Sequence, residues 1–360
     1  MPLVISGPIS MGGSVTGQSI NLELTKAATD IISLNDTDAR RLALIIDDQT
    51  TISLNDFYGK QLITFGQEQY TAPGTYYWVC PEGITSVSVV CIGGGGGGDA
   101  GSDLIGVGGG GGGGALAYRN NVTTIPGETY TIVVGEGGVG QITVNKVTTQ
   151  NSTPGGASSA FSCVAGGGAN GSRGTAQVVI GSQNASGGQI TGVYTAGYAG
   201  GFGGTIDTST YGFRPPGGGG AAGYAGVGGY GGRGRRATGS PVTSVSFSGD
   251  AAATNGGGGG GGGAGYANPV TRVGTGAAGG GVGIYGYGST GAGGIGGSAT
   301  QTATVGGDGS TSIGNSAFGA GGGGGVGGDN RSANPGAGGA VRIIWPGIVR
   351  QFPSTNVINV

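Results

Sequence analysis

The stretch Ser86-Val87-Ser88-Val89-Val90-Cys91-Ile92 runs without a break into the six glycines Gly93–Gly98. Val87, Val89 and Cys91 alternate with Ser86, Ser88 and Val90, the two-residue period of a strand. The same junction recurs downstream. Thr129-Tyr130-Thr131-Ile132-Val133-Val134 ends at Gly135, and Ala340-Val341-Arg342-Ile343-Ile344-Trp345 emerges from glycine and stops at Pro346-Gly347. Tyr76-Tyr77-Trp78-Val79 is a further run of strand formers. Ala72-Pro73-Gly74, Pro81-Glu82-Gly83 and Pro126-Gly127-Glu128 are turn signals between these runs. Strands that lead into and out of glycine at both ends predict one closed, sandwich-like β scaffold with a glycine block inserted or stacked on it. The predicted fold class is all-β.

Glycine supplies 96 of the 360 residues, against a usual share of roughly 7%. Such a chain would be disordered if it were highly charged, but only 9% of its residues carry charge. Long tracts stand at Gly108–Gly114, Gly256–Gly263 and Gly321–Gly325. Ordering them costs about 1–2 kcal/mol of backbone entropy per residue, and no side chain is present to offset it by burial. Backbone hydrogen bonding between closely packed segments is the remaining source of stability. Extended left-handed helices with three residues per turn point every N–H and C=O outward. Without side chains they can pack closely enough to pair those groups, as buried backbone demands. The expectation is a packed, polyglycine-II-type block.

Composition changes near residue 60. Residues 1–60 hold 11 of the 32 charges and 5 of the 96 glycines. Ile32-Ser33-Leu34-Asn35-Asp36 recurs twenty residues on as Ile52-Ser53-Leu54-Asn55-Asp56, each ending in a pair suited to turns and helix caps. Thr37–Ala43 reads as a short helix, and Phe57-Tyr58-Gly59-Lys60 as a turn with an aromatic anchor. A module this small with so few large apolar residues is marginal alone and is expected to lean on a partner. The division read from composition is residues 1–60 as an attachment module, 61–165 as β scaffold completed by 338–352, and 166–337 as glycine-rich block.

Several chemistries lack their residues. The chain has no histidine and a net charge of −2. Histidine-dependent nucleophile systems and histidine metal sites are therefore absent, and no broad basic footprint for nucleic acid exists. No glycine tract continues into the Gly-Lys-Ser/Thr of a phosphate-binding loop. Cys80, Cys91 and Cys163 form no disulfide framework and have the wrong spacing for zinc. Asp99 and Asp103, between glycine tracts, could hold calcium with carbonyl oxygens, but read better as solvated loop acids. Seventeen Asp and Glu residues leave room for a pair that cleaves glycans, yet none stands out. Neither an enzyme nor a cofactor or metal protein is expected. No secretory leader opens the sequence and no apolar run reaches the ~20 residues of a membrane span, so synthesis in a cytoplasm followed by assembly is expected.

Two stretches resemble proteins of tailed bacteriophages. Ser19–Leu24, Ile31–Ala43 and Ile52–Lys60 look like an N-terminal module found on phage structural proteins, notably those of cyanophages. Pro73–Trp78, Ile84–Val90 with Gly93–Gly98, Gly108–Tyr118 and Gly339–Pro346 are similar to the glycine-rich β domain of tail-fibre and tail-tip proteins. By composition the glycine block resembles the polyglycine-II sandwich of receptor-binding adhesins of some T4-like phages. The resemblance implies a virion protein of the tail, made in the host cytoplasm. Two roles follow from it: an adhesin for a host surface glycan or outer-membrane protein, or a purely structural tail, baseplate or capsid-decoration protein. It also implies attachment to other tail or baseplate proteins through residues 1–60, and a homotrimer is compatible with it. Expected attachment residues are Ile32, Leu34, Asp36, Leu54, Asp56, Phe57 and Tyr58. Recognition is expected on loops of the rigid block, where Tyr198, Tyr211, Phe213, Arg214, Tyr230 and Arg233 supply residue types that dominate binding energy. An aromatic lying flat on glycine can equally be a simple cap of the lattice.

Overall fold

A computed structural model describes residues 2–45, 49–62, 64–101, 107–172, 185–207, 215–235, 274–276, 278–286, 318–326 and 331–354. The N-terminal module carries helices α1 (Ile20–Glu23) and α2 (Thr37–Ala43) and a 3-10 turn at Leu54–Phe57. Eleven strands follow: β1 (Gly66–Tyr70), β2 (Gly74–Val79), β3 (Ser86–Ile92), β4 (Leu116–Thr123), β5 (Thr129–Val134), β6 (Ile142–Val144), β7 (Val147–Gln150), β8 (Ser158–Ala160), β9 (Cys163–Ala165), β10 (Ile190–Gly192) and β11 (Ala196–Tyr198). Five two-residue strands come next: β12 (Ile206–Asp207), β13 (Gly234–Arg235), β14 (Gly274–Thr275), β15 (Gly325–Val326) and β16 (Arg331–Ser332). Strand β17 (Ala340–Trp345) closes the scaffold. The fold is all-β apart from the short helical turns of the module.

Two five-stranded sheets, ordered β1-β17-β3-β4-β11 and β10-β9-β8-β5-β2, make the sandwich. The alternation read at Ser86–Ile92 decides its layers. Val87, Val89 and Cys91 enter the core between the sheets with Trp78, Ile132, Cys163, Ile343 and Trp345. Val90 and Ile92 face the other way, into a second cluster with Leu116, Tyr118, Tyr224, Ile284, Phe318 and Phe352. β3 and β17 are therefore buried along their whole length. Cys80, Cys91 and Cys163 are buried free thiols.

Below the sheets the glycine segments form a lattice. Segment 93–99 donates in a repeat of three: Gly93, Gly96 and Asp99 to Ala115, Gly112 and Gly109; Gly94 and Gly97 to Gly156 and Thr153; Gly95 and Gly98 to Ala337 and Asn334, all at 2.8–3.0 Å. Its carbonyls accept from Gly138 and Gln141, from Gly168 and Gly171, and from Gly322. Six segments thus surround one, the three acceptors antiparallel to it. Segment 109–115 is enclosed in the same way by 93–99, 166–172, 185–189, 200–204, 217–222 and 319–322. Three-residue periodicity with neighbours in every direction is the signature of a polyglycine-II arrangement, since each residue of a threefold helix points its groups 120° from the last. The lattice draws on both sides of residue 165. The glycine run 256–263 lies outside the described residues.

These glycines are not needed for their dihedral freedom, because none of Gly93–Gly98 takes a left-handed φ. They are needed because a Cβ has no room. One on Gly96 would fall on the carbonyl oxygen of Ala169, and one on Gly112 on that of Ser186, far inside contact distance. In outer segments every third residue faces solvent, and there side chains return: Glu136 and Val139 in one, Val227, Tyr230 and Arg233 in another are exposed. Two outer segments carry exposed prolines at the position whose N–H would point to solvent. Thr153, Gly155 and Gly156 donate inward around Pro154, and Asn334, Gly336 and Ala337 do so around Pro335. Proline lacks the donor, so the lattice edge is closed to a further chain, much as exposed sheet edges are blunted.

The packing predicts that Gly96→Ala and Gly112→Ala each lower stability by about 1–3 kcal/mol, the usual cost of overpacking. Gly338→Ala, whose Cβ would meet nothing closer than Pro73 Cγ at 3.8 Å, should melt like the parent. Equal melting temperatures for all three variants in calorimetry would contradict a tight lattice.

Candidate functional site

The molecule has two poles. β3 runs from the turn 81–85 down to the lattice and β4 returns, so the turns 81–85 and 124–128 mark the upper pole with Gly347, whose N–H donates to Ser86. The N-terminal module joins here. The Arg41 guanidinium lies over the Phe65 ring at 5.5 Å, and the Leu62 N–H donates to Glu23 Oε1 at 3.0 Å. A cleft of about 630 Å³ opens between module and sandwich, lined among others by Leu44, Lys60, Leu62, Glu82 and Ile84.

Within the module the sequence echo is a structural echo. The Ser33 N–H donates to Asp36 Oδ2 at 2.8 Å, and the Ser53 N–H donates to Asp56 Oδ2 at 2.8 Å. Asp36 stands at the N-cap position of α2 but caps no N–H of that helix with its carboxylate, whereas Asp56 closes a capping box on the 3-10 turn. Phe57 is fully buried beside Ile20 and Leu42, with Ile32 and Leu34 packed against the same small core. The Tyr58 hydroxyl donates to the Gly7 carbonyl at 2.6 Å. Leu54 is half open to solvent at 39% exposure. The expected attachment residues therefore build the module, and Leu54 and Asp36 are those that also present surface. Composition gave no sign of Ile5 and Ile31, which are far more exposed, at 86% and 100%.

The chain leaves and re-enters the lattice at the lower pole in five places, while the turn 223–226 and the residues flanking 287–317 stand at the sheet end. The described residues flanking 102–106, 173–184, 208–214, 236–273 and 327–330 all stand at the end of the lattice remote from the sheets, as does the β6–β7 hairpin. Of the expected recognition residues, Tyr211, Phe213 and Arg214 lie outside the described residues. Tyr198 sits on β11 against the second core cluster, at the sheet end. Tyr230 and Arg233 are exposed on segment 226–233. Because Gly228 donates to Ala199 and Gly234 to Thr205, Tyr198 and Arg233 stand about 19 Å apart along the axis at ~3.1 Å per residue. The described members are strung along the lattice rather than gathered at its tip.

Other side chains are structural. Tyr224 is buried, donates to the Gly283 carbonyl at 3.1 Å and stacks on Phe352 at 6.0 Å; burial pushes its hydroxyl pKa up. Arg342 is buried with the Tyr285 ring 4.3 Å from its guanidinium. Desolvation pulls Arg342 down to about 10, still charged at neutral pH. Asp99, expected among solvated loop acids, is buried within the lattice, and its Oδ1 accepts the Gly101 N–H at 2.7 Å. Burial follows from its place as the last residue of a fully enclosed segment. Asp103 lies outside the described residues. Among the described residues no three His, Cys, Asp or Glu gather as metal ligands, and no helix is long and apolar enough to cross a membrane.

The model of the glycine-rich domain matches residues 71–298, starting at the turn before β2. The chain belongs to this glycine-rich domain family. The match spans sandwich and lattice together, in line with their interleaving: strands of the glycine-rich domain and lattice segments alternate along the chain. No curated protein matches the sequence.

The Ser53 N–H, and after it the Ser53 hydroxyl, hold the Asp56 carboxyl below its usual pKa. A group with a depressed folded pKa stabilises above its unfolded value and loses that contribution as pH falls through the folded one. The stability difference between the wild type and Asp56→Ala should therefore be constant at neutral pH and shrink below about pH 4, measured by denaturant melts. A difference that does not change with pH would exclude this carboxylate as the staple of the turn.

Proposed function

We propose that the chain is a bacteriophage virion protein, a tail-fibre or tail-tip adhesin without catalytic activity. In this reading residues 1–60 fasten it to another tail or baseplate protein, and the remote end of the lattice meets a glycan or outer-membrane protein of the host. The observation that carries the reading is the polarity of the molecule. The module resembling a phage attachment segment joins at one pole, and the described lattice residues that flank 102–106, 173–184, 208–214, 236–273 and 327–330 end at the other. A rigid lattice satisfies its own backbone groups, so recognition falls to the connections, which can vary without disturbing it. A spacer with an anchor at one end and variable loops at the other is what a receptor-binding tip needs.

Phage carrying the chain with residues 208–214 and 236–273 replaced by Gly-Ser repeats should assemble normally and lose adsorption to their host by at least about tenfold, the loss of a single hot spot. Phage lacking residues 2–60 of the chain should form particles without it. Unchanged adsorption of the loop-replaced particles would favour a purely structural tail protein, and normal incorporation of the truncated chain would move attachment elsewhere.

A further inference from the structure

We infer that the side of the lattice formed by segments 199–205 and 226–233 is a binding site for an anionic polysaccharide, with Tyr230 and Phe202 as its stacking surface and Arg233 as its anion contact. The inference rests on the receptor-binding reading and adds to it a site on the flank of the lattice and a class of ligand. The two segments run side by side, with Gly228, Gly231 and Gly234 donating to Ala199, Phe202 and Thr205. Their outward positions recur every third residue, so Val227, Tyr230 and Arg233 line up about 9 Å apart along one straight edge at ~3.1 Å per residue. Phe202 meets Tyr230 edge to face, with centroids 5.3 Å apart. Val227 and Tyr230 keep 49% and 42% of their surface exposed.

The glycines on either side raise no side chain to hide these groups, and the hydrogen-bonded lattice under them holds their spacing fixed. A ligand touching Val227, Tyr230 and Arg233 in turn must be extended over about 19 Å at ~3.1 Å per residue. Its apolar C–H faces would pack on the rings and its polar groups would reach the Tyr230 hydroxyl and the guanidinium, the mixed apolar and polar contact that tyrosine suits. A chain of sugar rings has this character. A folded protein would need roughly 800 Å² per partner, more than a strip of three outward residues per segment offers. The sign of the charge follows from composition. Arg233 is the single charged residue in 185–189, 199–205 and 226–233, and where the two segments continue into β12 and β13 Asp207 pairs in register with Arg235, so two arginines stand against one carboxylate at this end of the site.

The test uses the full chain with dextran sulfate and uncharged dextran as immobilised probes. The wild type should bind dextran sulfate, with affinity falling as salt rises, and should bind dextran at least tenfold more weakly. Tyr230→Ala and Arg233→Gln should each weaken dextran sulfate binding about tenfold at an unchanged melting temperature, while Tyr230→Phe keeps most of it. Replacing 208–214 with Gly-Ser should leave dextran sulfate binding intact. Equal binding of wild type, Tyr230→Ala and Arg233→Gln, or no binding by the wild type, overturns the site. If Tyr230→Ala and Arg233→Gln phage adsorb normally while loop-replaced phage do not, the adhesin reading stands and this site falls.

Discussion

The structure depends on one interaction, the hydrogen bond between backbones that no side chain separates. In most proteins such bonds run within a helix or along a sheet, and side-chain burial supplies the net stability. Here segments 93–99 and 109–115 are each bonded to six neighbours, so the lattice does in three dimensions what a sheet does in two. The carbonyl oxygens of those neighbours occupy the places where Cβ atoms would be. That is why so entropically costly a residue as glycine is retained in runs.

A lattice of this kind has no register of its own, because one glycine is like the next. The sandwich supplies it. Five lattice segments continue a strand of the sandwich: 93–99 follows β3, 109–115 precedes β4, 135–141 follows β5, 166–172 follows β9 and 333–339 precedes β17. The strands are fixed by alternating side chains in two cores, and a slip of one residue would turn their apolar groups outward. The side-chain chemistry of the sheets thereby sets the alignment of a region with almost no side chains. At the outer surface the same three-residue geometry decides where side chains may stand, and proline at Pro154 and Pro335 removes donors that a further chain could use.

The module at the upper pole follows ordinary rules on a small scale. Its core is a handful of residues around Ile20, Leu42 and Phe57, and local carboxylate-to-backbone bonds at Asp36 and Asp56 supplement it. Its exposed apolar side chains Ile5 and Ile31 suit a domain that leans on other surfaces. Together the two poles give the molecule a direction, and the proposed adhesin role depends on that direction more than on any single residue.

Much of this was legible in the residues. The run from Ser86 into Gly93–Gly98 specified a strand leading into packed glycine. The paired Ser-Leu-Asn-Asp segments specified two matching turns, and the glycine content with low charge required backbone pairing in place of a side-chain core. These features depend on local period and on the absence of atoms, which a sequence states directly. Which segments neighbour one another was not legible. Gly96 meets Gly112 and Gly95 meets Ala337 because β3 lies between β4 and β17, and glycine carries no pattern that names its partner. The expected recognition set met the same limit: Tyr198 and Arg233 were expected at one tip, yet the lattice axis separates them, while Phe202 and Tyr230 are brought together across neighbouring segments. Sequence determined what each segment could be, and tertiary structure decided its company, because hydrogen bonds between bare backbones are strong in number and blind to identity.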